Sequence, residues 1–352
     1  MKFLKAFFAL SIYVISCFSA NAQIGGHGIY KFMNLPLSSR LASLGGNQIA
    51  VKDDDISLGM QNPALLNPMM HNHVQFSYID YMSDVNFGSI GYARHFDSLG
   101  TFQAGMQYIN YGDFVLADER GNKVGSFSGG DYNFFVGLGR EWKRFSYGAN
   151  LKFIYSGLES YKSYGAAIDL GGAYQDTARG YTFGLVMKNI GYQLKPYFET
   201  REPMPFEIQF GASVKPKHMP VRFNFLFHDL QKWDLTYKDP SKTPEPDLGT
   251  GLIKEDKIPF SEKIGRHVNV GAELLISKNF HIRFGYNHQR RKEMIVPDAK
   301  GTVGYSYGFG FRVSKFNISY GRAAYHIGGA SNTFTITSNL SKFFNSKQPA
   351  SL

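Results

Sequence analysis

Between Val303 and Val313 the side chains alternate strictly, and this pattern constrains the fold more than any other feature of the chain. Val303, Tyr305, Tyr307, Phe309, Phe311 and Val313 share one face of an extended backbone, and Gly304, Ser306, Gly308, Gly310 and Arg312 share the other. A period of two with one apolar face marks a β-strand buried on one side. The pattern recurs along the chain. Phe102, Ala104, Met106 and Tyr108 oppose Gln103, Gly105 and Gln107, and Tyr147, Ala149, Leu151, Phe153 and Tyr155 oppose Gly148, Asn150 and Lys152. Val221, Phe223, Phe225 and Phe227 stand against Arg222, Asn224 and His228, and Val268, Val270, Ala272, Leu274 and Ile276 continue the series. Many of these runs last about ten residues or more. Globular strands average about five or six, whereas a strand tilted across a bilayer needs about nine to eleven.

Segments of this kind predict about 14 strands, starting near Val74, Asn86, Thr101, Tyr132, Phe145, Ser163, Tyr181, Pro205, Pro220, Arg266, Phe280, Thr302, Lys315 and Ser331. The connections sort by parity. Short ones fall at Phe96–Gly100, Arg140–Arg144, Gln175–Gly180, Lys215–Met219, Ser277–Asn279 and Ser314, and longer ones at Tyr111–Asp131, Ile190–Met204, Asp229–Gly265 and His288–Gly301. Short turns on one side and long loops on the other are the arrangement of an outer-membrane barrel, with the long loops outside. A soluble periplasmic all-β protein has no reason to sort its loops in this way. The longest excursion carries Pro240, Pro244, Pro246 and Pro259 with mixed charges, a composition suited to an exposed surface loop and to holding a partner.

The N-terminus reads as an export signal. Lys2 and Lys5 precede an uncharged apolar stretch from Ala6 to Ser16, and Ala20-Asn21-Ala22 forms a small-x-small cleavage site. Val14-Ile15-Ser16-Cys17 is a competing lipobox reading that would place a lipid on Cys17. Cys17 is the only cysteine, so cleavage after Ala22 removes disulfide, thiolate and cysteine-metal chemistry from the mature chain. The expected organisation is a signal peptide over 1–22, a plug or hatch segment over 23–72, a transmembrane barrel over 73–344 and a tail over 345–352. The formal charge of +10 falls to +8 with Lys2 and Lys5 gone, and the cations are dispersed. In an exported chain this points to anionic lipopolysaccharide or acidic partners rather than nucleic acid.

Sites of chemistry are scarce. Asp53, Asp55 and Ser57 stand at alternate positions, but Leu58 and Ala64 occupy the places where a calcium loop needs glycine and an acid. Gly304-Tyr305-Ser306-Tyr307-Gly308 matches G-x-S-x-G, yet it lies inside the clearest strand rather than at a strand-to-helix elbow, so Ser306 reads as a small lumen-facing residue. His71 and His73 read as a polar strand start. No cofactor, metal or catalytic set is expected, and nothing argues for an enzyme.

The segment before the strands, "NLPLSSRLASLGGNQIAVKDDDISLGMQNPALLN", resembles the N-terminal region of the PorV/PorQ family of outer-membrane proteins, which are related to FadL-type fatty-acid channels. The matching residues are Ser39 to Gly46, including Arg40, Gly45 and Gly46; the run Asp53, Asp54 and Asp55; and Asn62-Pro63-Ala64-Leu65-Leu66. "QYINYGDF" from Gln107 and "REPMPFEIQFG" from Arg201 are similar to the family as well. The resemblance implies a 14-stranded barrel with its N-terminal segment folded into the lumen. It also implies a place in the type IX secretion machinery of Bacteroidetes. There the barrel joins a PorV-like barrel, the sortase-like PorU and the surface protein PorZ in a complex that processes cargo and attaches it to lipopolysaccharide. Arg40 and Asp53 to Asp55 would bond to lumen groups such as Lys152, Arg222 or Arg283, and Asn62-Pro63-Ala64 would turn the chain into the first strand. The alternative function is a FadL-like channel for a hydrophobic small molecule.

Overall fold

A computed structural model describes residues 28–236, 258–296, 301–326 and 328–344. The expected signal peptide, Cys17, the 345–352 tail and most of the long 229–265 excursion lie outside the described residues.

The strands are β1 (His73–Asp80), β2 (Asn86–Phe96), β3 (Gly100–Ala117), β4 (Lys123–Trp142), β5 (Phe145–Leu158), β6 (Tyr161–Asp176) and β7 (Tyr181–Lys195). They continue with β8 (Glu207–Val214), β9 (Val221–Phe227), β10 (Val268–Leu275), β11 (Phe280–Asn287), β12 (Tyr305–Val313), β13 (Phe316–His326) and β14 (Gly329–Asn339). Each pairs with its sequence neighbours, and β1 pairs with β14 from His73↔Asn339 to Asp80↔Asn332, closing one antiparallel barrel of 14 strands. Closure leaves no sheet edge, which is what allows a sheet to exist in hydrocarbon, where water cannot satisfy a bare backbone group.

The alternation resolves into two faces of opposite chemistry. On β5, Tyr147, Leu151 and Phe153 point outward and are exposed, while Asn150 and Lys152 point inward and are buried. On β3, Gln103 and Gln107 are buried in the lumen; on β14, Thr333 and Thr335 are buried opposite outward Phe334 and Ile336. Apolar-out and polar-in is the reverse of a soluble core, and it identifies the outer wall as lipid-facing. Phe96, Trp142, Phe145, Tyr181, Phe280 and Phe316 cluster at the short-turn end as exposed aromatics, the place of an interfacial girdle.

Most strand starts fall within a few residues of expectation, and β4 does not. It begins at Lys123 rather than near Tyr132, and β3 runs to Ala117, so the expected 111–131 loop is a two-stranded ribbon projecting past the barrel wall. Its glycines and serines read as loop in sequence, but β3 and β4 continue to pair from Asp113↔Ser128 to Ala117↔Lys123 after a bulge beside Asn110. The sorting of loops is also less complete than expected. On the long-loop side, β5 turns directly into β6 through Glu159, which adopts φ +55°, and β13 turns into β14 within a few residues.

Candidate functional site: the filled lumen

Residues 28–72 lie mostly inside the barrel as short turns, and four of them are started by a side chain that accepts from a free backbone amide at the beginning of the turn. The Ser38 hydroxyl accepts from Leu41 N–H at 3.3 Å and opens the helix Ser39–Ser43. Asp55 accepts from Ser57 N–H at 2.9 Å and opens the helix Ile56–Gln61. Asn62 accepts from Ala64 N–H at 3.1 Å and opens the 3-10 turn Pro63–Leu65, with Pro63 at the position where a missing N–H costs nothing. Its other end, Nδ2, donates to Ile49 O at 2.9 Å and so ties two plug turns together. The expected role of Asn62-Pro63-Ala64 needs correcting here. The turn next to β1 is a second Asn-Pro element, Asn67 with Pro68–Met70, and Asn62-Pro63-Ala64 lies deeper, fully buried against β4, β5 and β6.

A non-repetitive backbone inside a membrane barrel is tolerated only if its polar groups are paired. Side chains from the lumen face supply those pairs. Gln103 donates to Ile56 O at 2.8 Å, Gln107 to Phe32 O at 2.7 Å, Ser89 to Leu37 O at 2.8 Å and Ser306 to Ser43 O at 3.1 Å. Ser306, the residue of the G-x-S-x-G match, is therefore a plug anchor on a continuous strand. Apolar plug residues Leu37, Leu41, Val51, Leu58 and Leu65 pack into one cluster with the inward Phe135. Two wall glycines set the fit. A Cβ on Gly184 would stand 2.0 Å from Ile49 O, and one on Gly285 would stand 2.1 Å from Gly45 N. Gly45 and Gly46, at φ +93° and +135°, take the left-handed backbone that carries the chain out of the helix Ser39–Ser43, and Asn287 donates to Gly45 O at 3.1 Å.

The charged centre of the plug is Arg40. Its Nε and Nη2 each donate to Glu273 at 2.9 Å; Nη2 and Nη1 donate to Asp53 at 2.8 and 3.0 Å; and Nη1 reaches Asp55 at 3.2 Å. Arg222 bridges the same two acids, 3.2 Å from Asp53 and 2.9 Å from Glu273, and Arg283 Nε donates to Glu273 at 2.9 Å. Planar forks meeting carboxylates on two sides make strong, directional bonds. Burial opposes ionisation of Asp53, but Arg40 and Arg222 outweigh it and hold its carboxyl at about 2, below the ordinary 3.8. Burial also opposes the Arg40 cation, and Asp53, Glu273 and Asp55 outweigh that in turn, so the guanidinium stays charged.

Of the expected lumen partners, Arg222 meets Asp53. Arg283 meets Glu273 rather than an aspartate of the plug, and Lys152 pairs with Asp169 at 2.7 Å, away from the run. Asp54 faces Arg312 at 3.4 Å at the rim. Glu273 was not anticipated; its sequence signal is a lone acid on the polar face of an otherwise apolar alternating strand. His71 Nδ1 lies 3.2 Å from His95 O, and His73 is buried at the base of β1.

Beneath this network, at the short-turn end, lies a cavity of about 490 Å³ lined by Arg40, Asp53, Arg222, Arg283 and Arg312 together with residues of the β8–β9 and β10–β11 turns. It is charged, unlike the mostly apolar pockets that hold hydrophobic ligands. At the other end the helix His288–Met294 packs against both β10 and β13 and so lies over the mouth, joined to the helix Phe260–Arg266 by Lys292 and Glu262 at 2.9 Å.

No protein-family model matches the chain, and no curated protein matches it. Among solved structures it is similar to a FadL homologue of Pseudomonas aeruginosa, at 10% identity over 86% of this chain and 98% of that one, with a TM-score of 0.49. It is also similar to the CymD monoaromatic hydrocarbon channel, at 13% identity over 86% and 97% with a TM-score of 0.48, and to the KdgM porin, at 5% over 76% and 98% with a TM-score of 0.33. The assignment of a 14-stranded barrel rests on the strand pairing, independently of these likenesses.

Proposed function

We propose that this outer-membrane barrel is a docking component of a type IX attachment complex. In this reading it anchors a PorZ-like surface protein beside PorU- and PorV-like partners for the processing of cargo and its attachment to lipopolysaccharide. The observation that carries the reading is the filled lumen: the N-terminal segment occupies the interior with its backbone paired to the wall, so the useful surface is the one outside. Support for the partner side comes from the long-loop end, where Phe198, Trp233 and Phe260 are exposed beyond the lipid-facing wall and the Trp233 and Phe260 rings stand 5.8 Å apart. Exposed aromatics rimmed by charge are common anchors of protein interfaces. The placement in type IX secretion rests on the resemblance of the plug residues to the PorV/PorQ family.

The test is a mild-detergent pull-down of the tagged protein from outer membranes, with mass spectrometry of proteins and lipids. Recovery of a large surface protein and other secretion components, lost when residues 229–265 are replaced by a short linker, is the expected result. A barrel recovered alone and carrying fatty acid overturns it in favour of a channel for a hydrophobic small molecule.

A further inference from the structure

Glu207, His228 and Asp229 come together inside the barrel near its long-loop end, with one candidate ligand atom of each within 4.8 Å of the others. Three features of the chain bring them there. Glu207 opens β8 and points into the lumen, His228 follows the last residue of β9, and the two strands are antiparallel neighbours. Consecutive residues of a strand normally face opposite sides. Asp229 departs from the extended backbone at φ +54° and turns its carboxylate back to the side of His228.

The hydrogen bond to Asp229 fixes which ring nitrogen is engaged. Asp229 Oδ2 lies 2.9 Å from His228 Nδ1, and a carboxylate can only accept, so Nδ1 carries a proton and Nε2 is the nitrogen left to face a ligand. Nε2 is buried and has no hydrogen-bond partner. Gln209, next to the Phe210–Phe227 pair that ends the β8–β9 register, donates an N–H of its amide to Glu207 Oε1 at 2.7 Å, and its own Oε1 is buried without a partner. Lys188 on β7 stands across from Glu207 in the strand register and attracts its carboxylate, but its own Nζ donates to Gln61 and closes no direct ion pair with Glu207. The place therefore combines an unpartnered imidazole nitrogen, an unpartnered amide oxygen and two neighbouring carboxylates, held at a buried part of the wall beside the cation Lys188. A carboxylate that orients a histidine through one ring nitrogen, leaving the other for a ligand, is the arrangement that supports a bound metal.

We propose that Glu207 and His228, with Asp229 orienting the imidazole and Gln209 supplying a neutral oxygen, form a binding site for a divalent zinc ion at the root of the longest loop. One imidazole nitrogen and carboxylate oxygens are a donor set that suits Zn²⁺, at bond lengths of about 2.0–2.2 Å. Calcium, which takes six or more oxygens, is poorly served by it. The ion would offset the mutual repulsion of the Glu207 and Asp229 carboxylates and fasten the first residues of the 229–265 loop to β8. The site is independent of the docking reading, because its ligands lie in the wall rather than on the surface.

The test uses the full-length folded barrel in detergent, stripped with chelator and equilibrated with buffered free Zn²⁺, with bound metal read by atomic emission and folding read by heat-modifiable migration. Wild type and a His71→Asn control are expected to hold one zinc per chain. Asp229→Asn should weaken affinity about 10–100-fold, and Glu207→Gln and His228→Asn should abolish it while the barrel still migrates as folded. No bound zinc in the folded wild type, stoichiometric zinc in both Glu207→Gln and His228→Asn, or a preference for Ca²⁺ over Zn²⁺ would each overturn the assignment.

Discussion

Arg40 Nη2 and Asp53 Oδ2 lie 2.8 Å apart on two successive turns of the plug, and the same guanidinium reaches across the lumen to Glu273 on β10. One side chain thus holds the plug to itself and to the wall. Removing one partner of a buried charge network leaves the others uncompensated, at a cost of about 3–5 kcal/mol. Arg40→Ala is expected to lower unfolding stability in detergent by that order and to open the plug to protease while β-sheet content persists. Unchanged plug protection would show that the apolar cluster alone holds the segment.

The same network predicts a pH response. Asp53 is a plug residue whose carboxyl lies at about 2 in the folded protein against an ordinary 3.8. A depressed carboxylate stabilises the fold fully above the unfolded value, and the contribution fades as pH falls from about 4 to about 2. The difference corresponds to about 2 kcal/mol. Protease protection of the plug should decline across that window, and Asp53→Asn should lower protection at neutral pH and flatten the decline.

Gly184 has no room for a side chain, because its Cβ would lie 2.0 Å from Ile49 O in a backbone tied to Asn62. Gly184→Val should displace the plug while leaving the outer wall intact, at a cost of about 1–3 kcal/mol or more. The expected readout is a wild-type strand content by circular dichroism with newly protease-sensitive residues between 28 and 72.

Leu151 and Val124 are equally exposed, at 61% and 60%, yet they stand in different solvents. Leu151 lies mid-strand on the outer face of β5, and Val124 lies in the ribbon where β4 pairs with β3 alone. Leu151→Arg should destabilise the barrel in lipid by about 2–4 kcal/mol, and Val124→Arg by less than about 0.5 kcal/mol. Equal effects in a reversible unfolding titration in vesicles would contradict the placement of the membrane boundary.

These contrasts mark what the sequence makes legible. The wall is readable because a barrel strand repeats one decision every two residues, and the turns between Phe96 and Gly100 or Ser277 and Asn279 interrupt it sharply. The ribbon was missed because residues such as Gly125 and Ser128 lose the alternation where both faces meet water, although backbone pairing continues. Inside the lumen, the capping residues Ser38, Asp55, Asn62 and Asn67 were present as signals, but turns of three to six residues have too little periodicity to announce themselves. Arg40 was identified, but its partner Glu273 was not, because a pairing across 233 positions is a property of closure rather than of local pattern. His228 and Asp229 were hidden for a related reason: the pattern ends a strand at His228 and begins a loop at Asp229, and only the left-handed backbone of Asp229 brings the two side chains together.

The seam between β1 and β14 joins the two ends of the sheet, and the plug precedes β1 in the chain. Those strands lie furthest apart in sequence, so their pairing is the step with the largest closure entropy and the natural last event of assembly. The plug touches that part of the wall: Ser39 N–H donates to Thr335 Oγ1 on β14 at 2.9 Å, and Ser39 O leaves no room for a Cβ on Gly321 of β13. The plug is therefore shaped to the two strands that end the sheet. Closure of the cylinder and seating of the plug are thus coupled at one seam, where the last strands to arrive meet the segment that precedes the first.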